Sequence, residues 1–337
     1  MTPASILIVQ LRRIGDVLCT MPVIGVLRRS FPKAEIDFLV EEPSDQLVRL
    51  DPHLDGTLVY KKEEAWSWIR RVRAGRYDWV LDFHANGRTL VLTALSGAPV
   101  RAGFAGPVTR RLAYDRLIPG LPGGYIVEQK MELLKGLGVA DRGWKWELPL
   151  PEAEKAWTES LLRESGISGS RQRIVGIAPA SRRAARRWLP ERFSEVMKEL
   201  KSRGCHVVLL WGPGERDFVE SLARAAGPDG AGRTLIPPPA TLLQSSALIA
   251  RCDLVLATDN GPKNIAIALG VPTVTVMGPT NPLSFNPHDD PAHVVLRDDA
   301  LFCIACAKNE CPYGHECMEH VTARRAVDKI LAMFGQG

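Results

Sequence analysis

Short, apolar, β-branched runs alternate with helix-length segments along nearly the whole chain. Such runs are typical of strands buried on both faces of a parallel sheet, which right-handed crossovers connect. The pattern therefore predicts an α/β fold. The predicted strands are 6–11, 36–40, 57–60, 79–82, 174–178, 206–211, 254–257 and 273–277, and the predicted helices are 16–29, 62–73, 125–137, 191–203, 215–226, 242–250 and 263–269.

The alternation occurs in two series, separated by a stretch without strand character. A chain of 337 residues is long enough for two domains. We predict two Rossmann-like parallel-sheet domains that face a central cleft, with ligands at the carboxyl ends of the strands. The predicted divisions are a first domain 1–150, a linker 151–171, a second domain 172–321 and a C-terminal helix 322–337.

Charge and cysteine usage bear on location and partners. The first apolar run is followed by Arg12 and Arg13, which is the reverse of a signal peptide, and no apolar run approaches the ~18 residues that a membrane span needs. Seven cysteines, an odd number, suit a reducing compartment. We expect a cytoplasmic protein. The net charge of +5 fits either a solvated surface or a partner that carries phosphates.

The loop after the first predicted strand carries Gly15 and Asp16. An aspartate in the first turn of a helix is favoured by capping and by the helix dipole. A carboxylate at the carboxyl end of a strand can equally take a proton from an acceptor hydroxyl. The residues alone leave both interpretations open.

The second series offers a candidate anion site after strand 254–257. The turn contains Gly261 and Pro262, and a helix begins with Lys263. Backbone N–H groups at the start of a helix, with a small residue and a lysine, favour a phosphate. The alternative is a plain turn in which the glycine and the proline serve geometry only. We favour the anion site.

Two further turns follow the predicted strands of this domain. The segment 182–187 holds four arginines in six positions, next to Ser181, and can clamp a diphosphate or simply be a solvated loop. Glu215 can complement a helix dipole or bind ribose hydroxyls. The chain has neither a G-x-G-x-x-G fingerprint nor a Walker lysine loop, which argues against a dehydrogenase and a kinase.

Four motifs together resemble glycosyltransferase family 9, the heptosyltransferase family. They are Gly15-Asp16, the segments 188–193 (Trp-Leu-Pro-Glu-Arg-Phe) and 259–263 (Asp-Asn-Gly-Pro-Lys), and 278–280 (Gly-Pro-Thr), in this order. The resemblance covers nearly the whole chain. It implies a GT-B fold, a nucleotide-diphosphate sugar such as ADP-heptose in the second domain, and an acceptor in the first.

The resemblance also implies residue roles. Asp16 matches the general base, and Arg186 stands where the family has a phosphate-binding lysine. Glu215 would meet the nucleoside, and the residues from Asp259 onward would meet the sugar and diphosphate. The donor-binding residues that this implies are Ser181, Arg186, Glu215, Asp259, Asn260, Gly261, Lys263, Asn264, Gly278 and Thr280.

One departure from the family concerns Asn264, where a histidine is usual. An amide can donate a hydrogen bond to a phosphate but carries no charge, so we expect Lys263 to supply the charge. Arg13, His84 and Arg88 would suit an anionic glycolipid acceptor, although they can also be ordinary surface. His84 is in addition the alternative candidate for the base.

The interpretation is an inverting, metal-independent transferase that moves a heptose-like sugar from ADP-heptose to a lipopolysaccharide-core acceptor. No Asp-x-Asp pair ends a predicted strand, so we expect no catalytic metal. We also expect no nucleic acid partner. The expected location is cytoplasmic, with peripheral association at the inner face of the membrane. The alternatives are a family member that uses another nucleotide sugar for a different surface glycan, a GT-B-fold nucleotide-sugar epimerase, and a catalytically silent nucleotide-binding module.

Four cysteines cluster near the C-terminus, at positions 303, 306, 311 and 317. Four thiols at this spacing are compatible with structural zinc, bound by Cys303, Cys306, Cys311 and Cys317. The second pair is not C-x2-C, and reduced packing thiols are the alternative. Neither interpretation gives these cysteines a role in catalysis.

Overall fold

The chain folds into two compact units, Met1–Pro149 and Leu150–Gly337. No helix among the described residues is both long and apolar enough to cross a membrane. The computed structural model describes residues 2–121, 123–140, 143–167 and 172–335.

One parallel sheet organises the described part of the first unit. Its strands are β1 (Ser5–Val9), β2 (Glu35–Val40), β3 (Gly56–Val59), β4 (Trp79–Asp82), β5 (Val100–Phe104) and β6 (Arg116–Ile118). They are hydrogen-bonded in the order β3-β2-β1-β4-β5-β6, all in parallel. The central strands β1 and β4 are almost wholly buried, because helices cover a doubly wound sheet on both faces.

The helix predicted over 16–29 is two helices in the structure. The amides of Thr20 and Met21 both bond to the carbonyl of Val17, and Pro22, which has no N–H to continue the helical ladder, begins the next helix. The helices of the first unit are α1 (Ile14–Leu18), α2 (Pro22–Ser30), α3 (Asp45–Val48), α4 (Ala65–Ala74), α5 (Gly87–Leu95) and α6 (Ile126–Gly136).

The second unit repeats this architecture. Its strands are β7 (Ile174–Ala178), β8 (His206–Leu209), β9 (Thr234–Leu235), β10 (Leu254–Thr258), β11 (Thr273–Val276) and β12 (His293–Leu296). In the described residues they form a parallel sheet in the order β12-β11-β10-β7-β8-β9. Counted from its own first strand, this is the same order as in the first unit.

Helices flank the second sheet as well. The segment predicted as the linker 151–171 holds α7, which packs against α10, and its residues 168–171 lie outside the described residues. The predicted C-terminal helix 322–337 corresponds to α14, and residues 336–337 again lie outside the description. The helices are α7 (Glu152–Glu164), α8 (Pro190–Ser202), α9 (Arg216–Ala225), α10 (Leu242–Ala250), α11 (Gly261–Ala268), α12 (Pro282–Phe285), α13 (Glu316–Glu319) and α14 (Ala323–Phe334).

Each sheet has a point at which the winding direction reverses. It lies between β1 and β4 in the first unit and between β7 and β10 in the second. Loops that leave two such neighbours turn to opposite faces of the sheet, which opens a crevice at their carboxyl ends. The predicted Rossmann-like, parallel-sheet class is confirmed for both units.

Four strands escaped prediction, and all four lie at or next to the edges of the sheets: β5, β6, β9 and β12. Edge strands are short and partly solvated, so they lack the continuous apolar run by which the central strands are recognised. β5 contains Arg101, whose guanidinium pairs with Asp115, and β9 has only two residues.

The tryptophan motif of 188–193 anchors the loop after β7. The rings of Trp188 and Phe193 meet edge to face at 4.8 Å between centroids, and both are buried in the core of the second unit. The indole N–H of Trp188 donates to the carbonyl of Val321 at 3.0 Å. These contacts fix the end of the arginine-rich loop against the core.

Candidate active site

Asp16 follows β1 and lies in the first turn of α1. Its Oδ2 accepts a hydrogen bond from the backbone N–H of Arg13 at 3.3 Å. Its Oδ1 has no hydrogen-bond partner within the described residues, and the side chain is only half-buried. Asp16 is thus a helix cap through one oxygen and keeps a second oxygen that can accept a proton. Its role as the base stays a prediction.

A tight turn after β4 holds His84 at the same edge of the sheet. The buried carboxylate of Asp82 accepts the backbone N–H groups of His84 at 3.0 Å and Ala85 at 2.9 Å, and the hydroxyl of Tyr114 at 2.8 Å. Ala85 has φ 49°, a left-handed conformation that costs energy in a residue with a side chain. Asn86 then caps α5. This network sets the direction in which the imidazole of His84 points.

Two buried polar side chains, Gln10 and Lys130, lie behind His84. The Nε2 of Gln10 is 2.9 Å from Nδ1 of His84 and donates to the carbonyl of Arg12 at 2.8 Å, while its Oε1 accepts from Nζ of Lys130 at 3.2 Å. Lys130 makes no ion pair with a carboxylate within the described residues. Burial lowers the pKa of Lys130, and nearby acidic groups such as Asp16 oppose this effect.

The other two predicted acceptor residues are placed differently. Arg13 is exposed, next to the base candidate. The guanidinium of Arg88 pairs with Glu41 at 2.8 Å and lies 5.7 Å from the ring centre of Tyr60. Arg88 could bind an acceptor only after its ion pair with Glu41 is broken. Acceptor binding by these residues stays a prediction.

In the second unit, Asp259 joins three loops. Its Oδ2 accepts from the guanidinium of Arg186 at 2.6 Å and from the hydroxyl of Thr280 at 2.9 Å, and its Oδ1 lies 3.3 Å from Nζ of Lys263. Burial by itself would raise the pKa of Asp259, but the charges of Lys263 and Arg186 outweigh it, and the pKa is lowered. The carboxylate is therefore ionised and fixes the loops after β7, β10 and β11 relative to one another.

Lys263 lies inside the second unit, and its predicted contact with the donor stays a prediction. Its side chain is 0% exposed, and its ammonium donates to the backbone carbonyl of Phe285 at 2.5 Å as well as to Asp259. An ammonium without exposed surface cannot contact a diphosphate directly in this arrangement. The spacing of four residues places Lys263 beside Asp259, and its contribution to the site is to hold that carboxylate.

The two asparagines of the turn are engaged with the backbone. The Nδ2 of Asn260 donates to the carbonyls of Ala178 at 2.9 Å and Ala180 at 3.0 Å, and its Oδ1 caps α11 by accepting the N–H of Lys263. Asn260 thus bridges the ends of β7 and β10. The Nδ2 of the half-buried Asn264 donates to the carbonyl of Asn260 at 3.0 Å.

The two glycines among the predicted donor-binding residues differ in what they adjoin. A Cβ at Gly261 would meet no other heavy atom within 4 Å, so packing does not require a glycine there. A Cβ at Gly278 would collide with Cys317 and Met318. Gly278 is explained by the protein's own packing, whereas Gly261 leaves open space beside the start of α11.

The remaining predicted donor residues follow β7 and β8. Arg186 is largely buried by its pairing with Asp259, and Ser181 is buried, with its carbonyl accepting from Nε of Arg187 at 2.9 Å. Glu215 accepts the backbone N–H of Gly212 at 2.8 Å through Oε2. The predicted donor residues therefore come from the loops after four strands that neighbour one another in the sheet, β8, β7, β10 and β11.

The cysteine-rich segment 303–317 supports two of these loops. The backbone N–H of Ala305 donates to the carbonyl of Gly278 at 3.0 Å, and Nε2 of His315 lies 2.8 Å from the carbonyl of Ala185. The segment therefore connects the Gly-Pro-Thr loop to the arginine-rich loop.

The structure does not support the zinc prediction. Cys303, Cys306 and Cys311 are half-buried, Cys317 is buried, and all are free thiols. Burial, with the neighbouring thiols, raises the pKa of Cys317 to about 11. Within the described residues, no group of three or more His, Cys, Asp or Glu side chains is placed to hold a metal ion.

Sequence reasoning missed Gln10 and Lys130. A signal for the lysine was present, because it shares one helical face of α6 with three buried apolar residues at positions 127, 131 and 134. A lysine on an apolar face indicates either a helix end or a buried polar site. Gln10 likewise ends an apolar strand run as its first polar residue.

Comparison with known proteins agrees with these features. Residues 65–316 match the model of Glycosyltransferase family 9 (heptosyltransferase). Lipopolysaccharide heptosyltransferase 3 of Escherichia coli is 27% identical over 286 residues, which are 81% of this chain and 83% of that protein.

Two solved structures share the fold over almost their whole length. Glycosyl transferase family 9 from Veillonella parvula DSM 2008 has a TM-score of 0.84 at 22% identity, and the match covers 99% of this chain and 98% of that one. The E. coli ADP-heptose lps heptosyltransferase II has a TM-score of 0.78 at 21% identity, with 98% and 99% covered. The predicted GT-B fold is confirmed, and since the family model spans most of the sequence, this chain belongs to glycosyltransferase family 9 and is a glycosyltransferase.

Proposed function

We propose that this enzyme transfers a heptose from ADP-heptose to a hydroxyl of a lipopolysaccharide-core acceptor, with inversion at the anomeric carbon and without a catalytic metal ion. The main support for this proposal is the arrangement of the Asp16 carboxylate. One of its oxygens is held by the Arg13 N–H, and the other accepts no hydrogen bond within the described residues. A single oriented base is what one direct displacement requires.

In this proposal Asp16 removes the proton of the acceptor hydroxyl as the new glycosidic bond forms. A carboxylate is a weak base in water, so proton transfer has to accompany bond formation rather than precede it. The hydrogen bond from Arg13 restricts the rotation of the carboxylate and so orients the free oxygen. The acceptor oxygen attacks the anomeric carbon from one side, and the ADP leaves from the other.

The second unit would bind the donor. Arg186 is ordered by Asp259 next to the start of α11, where Gly261 leaves space for a ligand to approach the backbone. A guanidinium and the N-terminus of a helix can stabilise the negative charge that develops on a leaving diphosphate. Glu215, after the neighbouring strand, is proposed to bind the nucleoside.

The relatives support the choice of sugar. The E. coli protein that matches over most of this chain is a lipopolysaccharide heptosyltransferase, and a solved structure with the same fold is named for ADP-heptose. An anionic glycolipid acceptor suits the exposed Arg13 and would bring the enzyme to the cytoplasmic face of the inner membrane.

The test pairs a binding measurement with a transfer assay. ADP-heptose should raise the melting temperature more than UDP- or GDP-sugars do at equal concentration, since a ligand that binds only the folded state stabilises it by about 2.7 kcal/mol at 100 times its Kd. With a heptose-deficient core acceptor, the product should carry a heptose of inverted anomeric configuration by NMR. Preference for another nucleotide sugar would identify a different glycan. An altered nucleotide sugar released without any acceptor would identify an epimerase.

Metal independence is tested in the same assay. We expect turnover to be retained in excess EDTA and unchanged on addition of Mg²⁺. A strict requirement for Mg²⁺ or Mn²⁺ would contradict the proposed stabilisation of the leaving group. Loss of thermal stability on chelation, with turnover intact, would indicate a structural metal bound by Cys303, Cys306, Cys311 and Cys317.

A further inference from the structure

The side chains around His84 determine which of its two ring nitrogens carries the proton. The amide of Gln10 decides this, because the partners at its two ends determine which end is the NH₂ group and which is the carbonyl oxygen. The carbonyl of Arg12 can only accept a hydrogen bond, so the Gln10 atom that lies 2.8 Å from it must be the NH₂ group.

The other end of the amide agrees with this orientation. As an ammonium, Lys130 can only donate, and the Gln10 atom that lies 3.2 Å from Nζ is then the carbonyl oxygen. The amide orientation is therefore fixed at both ends, which is how such orientations are assigned from a hydrogen-bond network. Gln10 is 2% exposed, so water offers it little alternative.

The second N–H of the Gln10 amide is directed at Nδ1 of His84, at 2.9 Å. A nitrogen that accepts a hydrogen bond carries no proton, so neutral His84 must be protonated on Nε2. Nε2 makes no hydrogen bond within the described residues, and His84 is half-buried at the carboxyl edge of the first sheet.

We infer that Gln10, oriented by Lys130 and the Arg12 carbonyl, locks His84 as a neutral donor whose Nε2–H binds an oxygen of the acceptor, and that His84 is not a base. Its only basic nitrogen is occupied by Gln10, and the nitrogen that faces outward already bears a proton. His84 is then an acceptor-binding residue, with Gln10 and Lys130 as its positioning residues. That this ligand is the acceptor rests on the proposed function, whereas the protonation state of His84 does not.

The electrostatic surroundings agree with a neutral ring. Burial lowers the pKa of His84, while the negative charges of Asp82 and Asp16 oppose this effect. The charged groups that face it are Asp82 on β4, Asp16 on α1, Arg12 in the loop after β1, Glu41 after β2 and, through Gln10, Lys130 on α6.

NMR of the ¹⁵N-histidine-labelled protein tests the tautomer directly, with His84→Gln assigning the signals. At pH 7.5 to 8, Nε2 of His84 should resonate as a protonated nitrogen and Nδ1 as an unprotonated one. Protonation on Nδ1, or a doubly protonated ring at this pH, would overturn the inference. Lys130→Met should keep the same tautomer, because the Arg12 carbonyl still orients the amide.

Gln10→Glu reverses the polarity at Nδ1 and is the sharpest variant. A carboxylate only accepts, so His84 must now donate from Nδ1 and either lose the proton at Nε2 or become an imidazolium. The NMR signals should show this change, and the KM for the acceptor should rise at pH 8 and recover toward pH 6, where the ring becomes doubly protonated. An unchanged tautomer in the folded variant would contradict the lock.

Kinetics of two His84 variants separate a donor from a base and remain informative if Gln10→Glu fails to fold. His84→Leu should raise the KM for the acceptor about tenfold with little change in kcat, since one hydrogen bond is lost. His84→Gln, which can place an amide N–H near the position of Nε2, should recover part of that affinity. A loss in kcat of roughly 10²-fold or more at unchanged KM would identify a base and overturn the inference. If the wild type transfers nothing from ADP-heptose, the proposed function fails, while the NMR result still decides the tautomer.

Discussion

Each of the two units buries a lysine at the carboxyl edge of its sheet, close to the point where the winding reverses, but the two lysines have different partners. Lys263 in the second unit is 0% exposed and pairs with the carboxylate of Asp259. Lys130 in the first unit is 3% exposed and meets the neutral amide of Gln10, with its Nζ 5.4 Å from the centre of the Phe83 ring.

The difference indicates that the two units use buried charge for different purposes. In the second unit, the cations of Lys263 and Arg186 are compensated by Asp259, and the result is a rigid connection among three loops. In the described part of the first unit, no carboxylate forms an ion pair with Lys130. The lysine orients an amide, and its field extends toward Asp16, where the chemistry is proposed to take place. Buried charge connects loops in the second unit, whereas in the first unit it lies near the proposed base, Asp16.

The largest effect that would sharpen this comparison is on turnover. Asp16→Asn should reduce kcat by roughly 10²–10⁴-fold, because an amide can cap α1 but cannot take a proton. The melting temperature should remain near that of the wild type, and so should the affinity for ADP, for which the second unit is the proposed site. Near-normal turnover in the variant would show that Asp16 is only a helix cap. The buried charge of the first unit would then have no proposed link to catalysis.

The next largest effect concerns stability. Lys263→Met should destabilise the second unit by about 3 kcal/mol, since removal of one partner of a buried ion pair leaves the other charge poorly compensated. Lys130→Met is the matched control, with the same substitution at a buried lysine that pairs with no carboxylate among the residues the structure describes. It should cost less than about 1 kcal/mol or even stabilise, because the cost of desolvating the ammonium disappears. Calorimetric unfolding measures both, and equal losses would break the comparison.

The pH dependence of stability tests whether Lys263 and Arg186 hold Asp259 in its ionised form. Its folded pKa is lowered below the ordinary value, so its contribution is fully present above about pH 4 and is lost as the pH falls through the folded pKa. Between pH 5 and pH 3 the wild type should therefore lose melting temperature faster than Asp259→Asn, which starts from a lower value. Parallel profiles would mean that the carboxylate is not held in its ionised form by Lys263 and Arg186.

The smallest expected effect is on donor affinity at Asn264. Asn264→His should bind ADP as well as the wild type or up to about tenfold more tightly, since a charge-assisted hydrogen bond contributes about 1.5–3 kcal/mol against about 0.5–1.5 for a neutral one. Asn264→Ala should lose no more than the neutral bond. Calorimetric titration at fixed salt decides the order. A large loss in Asn264→His would indicate a pocket shaped for another sugar, and the heptose assignment would be abandoned.

The central strands and the helices that follow them could be predicted because their signal is local. β4, β7 and α10 have the predicted bounds, since an apolar run that is buried on both faces differs plainly from its surroundings. The strands β5, β6, β9 and β12 carry no such signal, whereas the edge strand β3 does and is predicted. Pro22 is itself a local signal for the break in the first predicted helix. For the site, the sequence placed Asp16 and the donor loops at strand ends, but it did not indicate which side chains would be occupied by one another.

The sequence by itself determined that this chain forms two doubly wound sheets and that polar turns gather at their carboxyl edges, because these properties follow from the hydrophobic pattern and from the handedness of crossovers. Only the tertiary structure decided the roles within those turns. Lys263 is turned inward to Asp259 and Phe285, and Lys130 reaches Gln10, which lies 120 positions earlier in the chain. Whether a charged side chain faces a ligand or another side chain depends on packing between segments that are distant in sequence, and no local pattern encodes it.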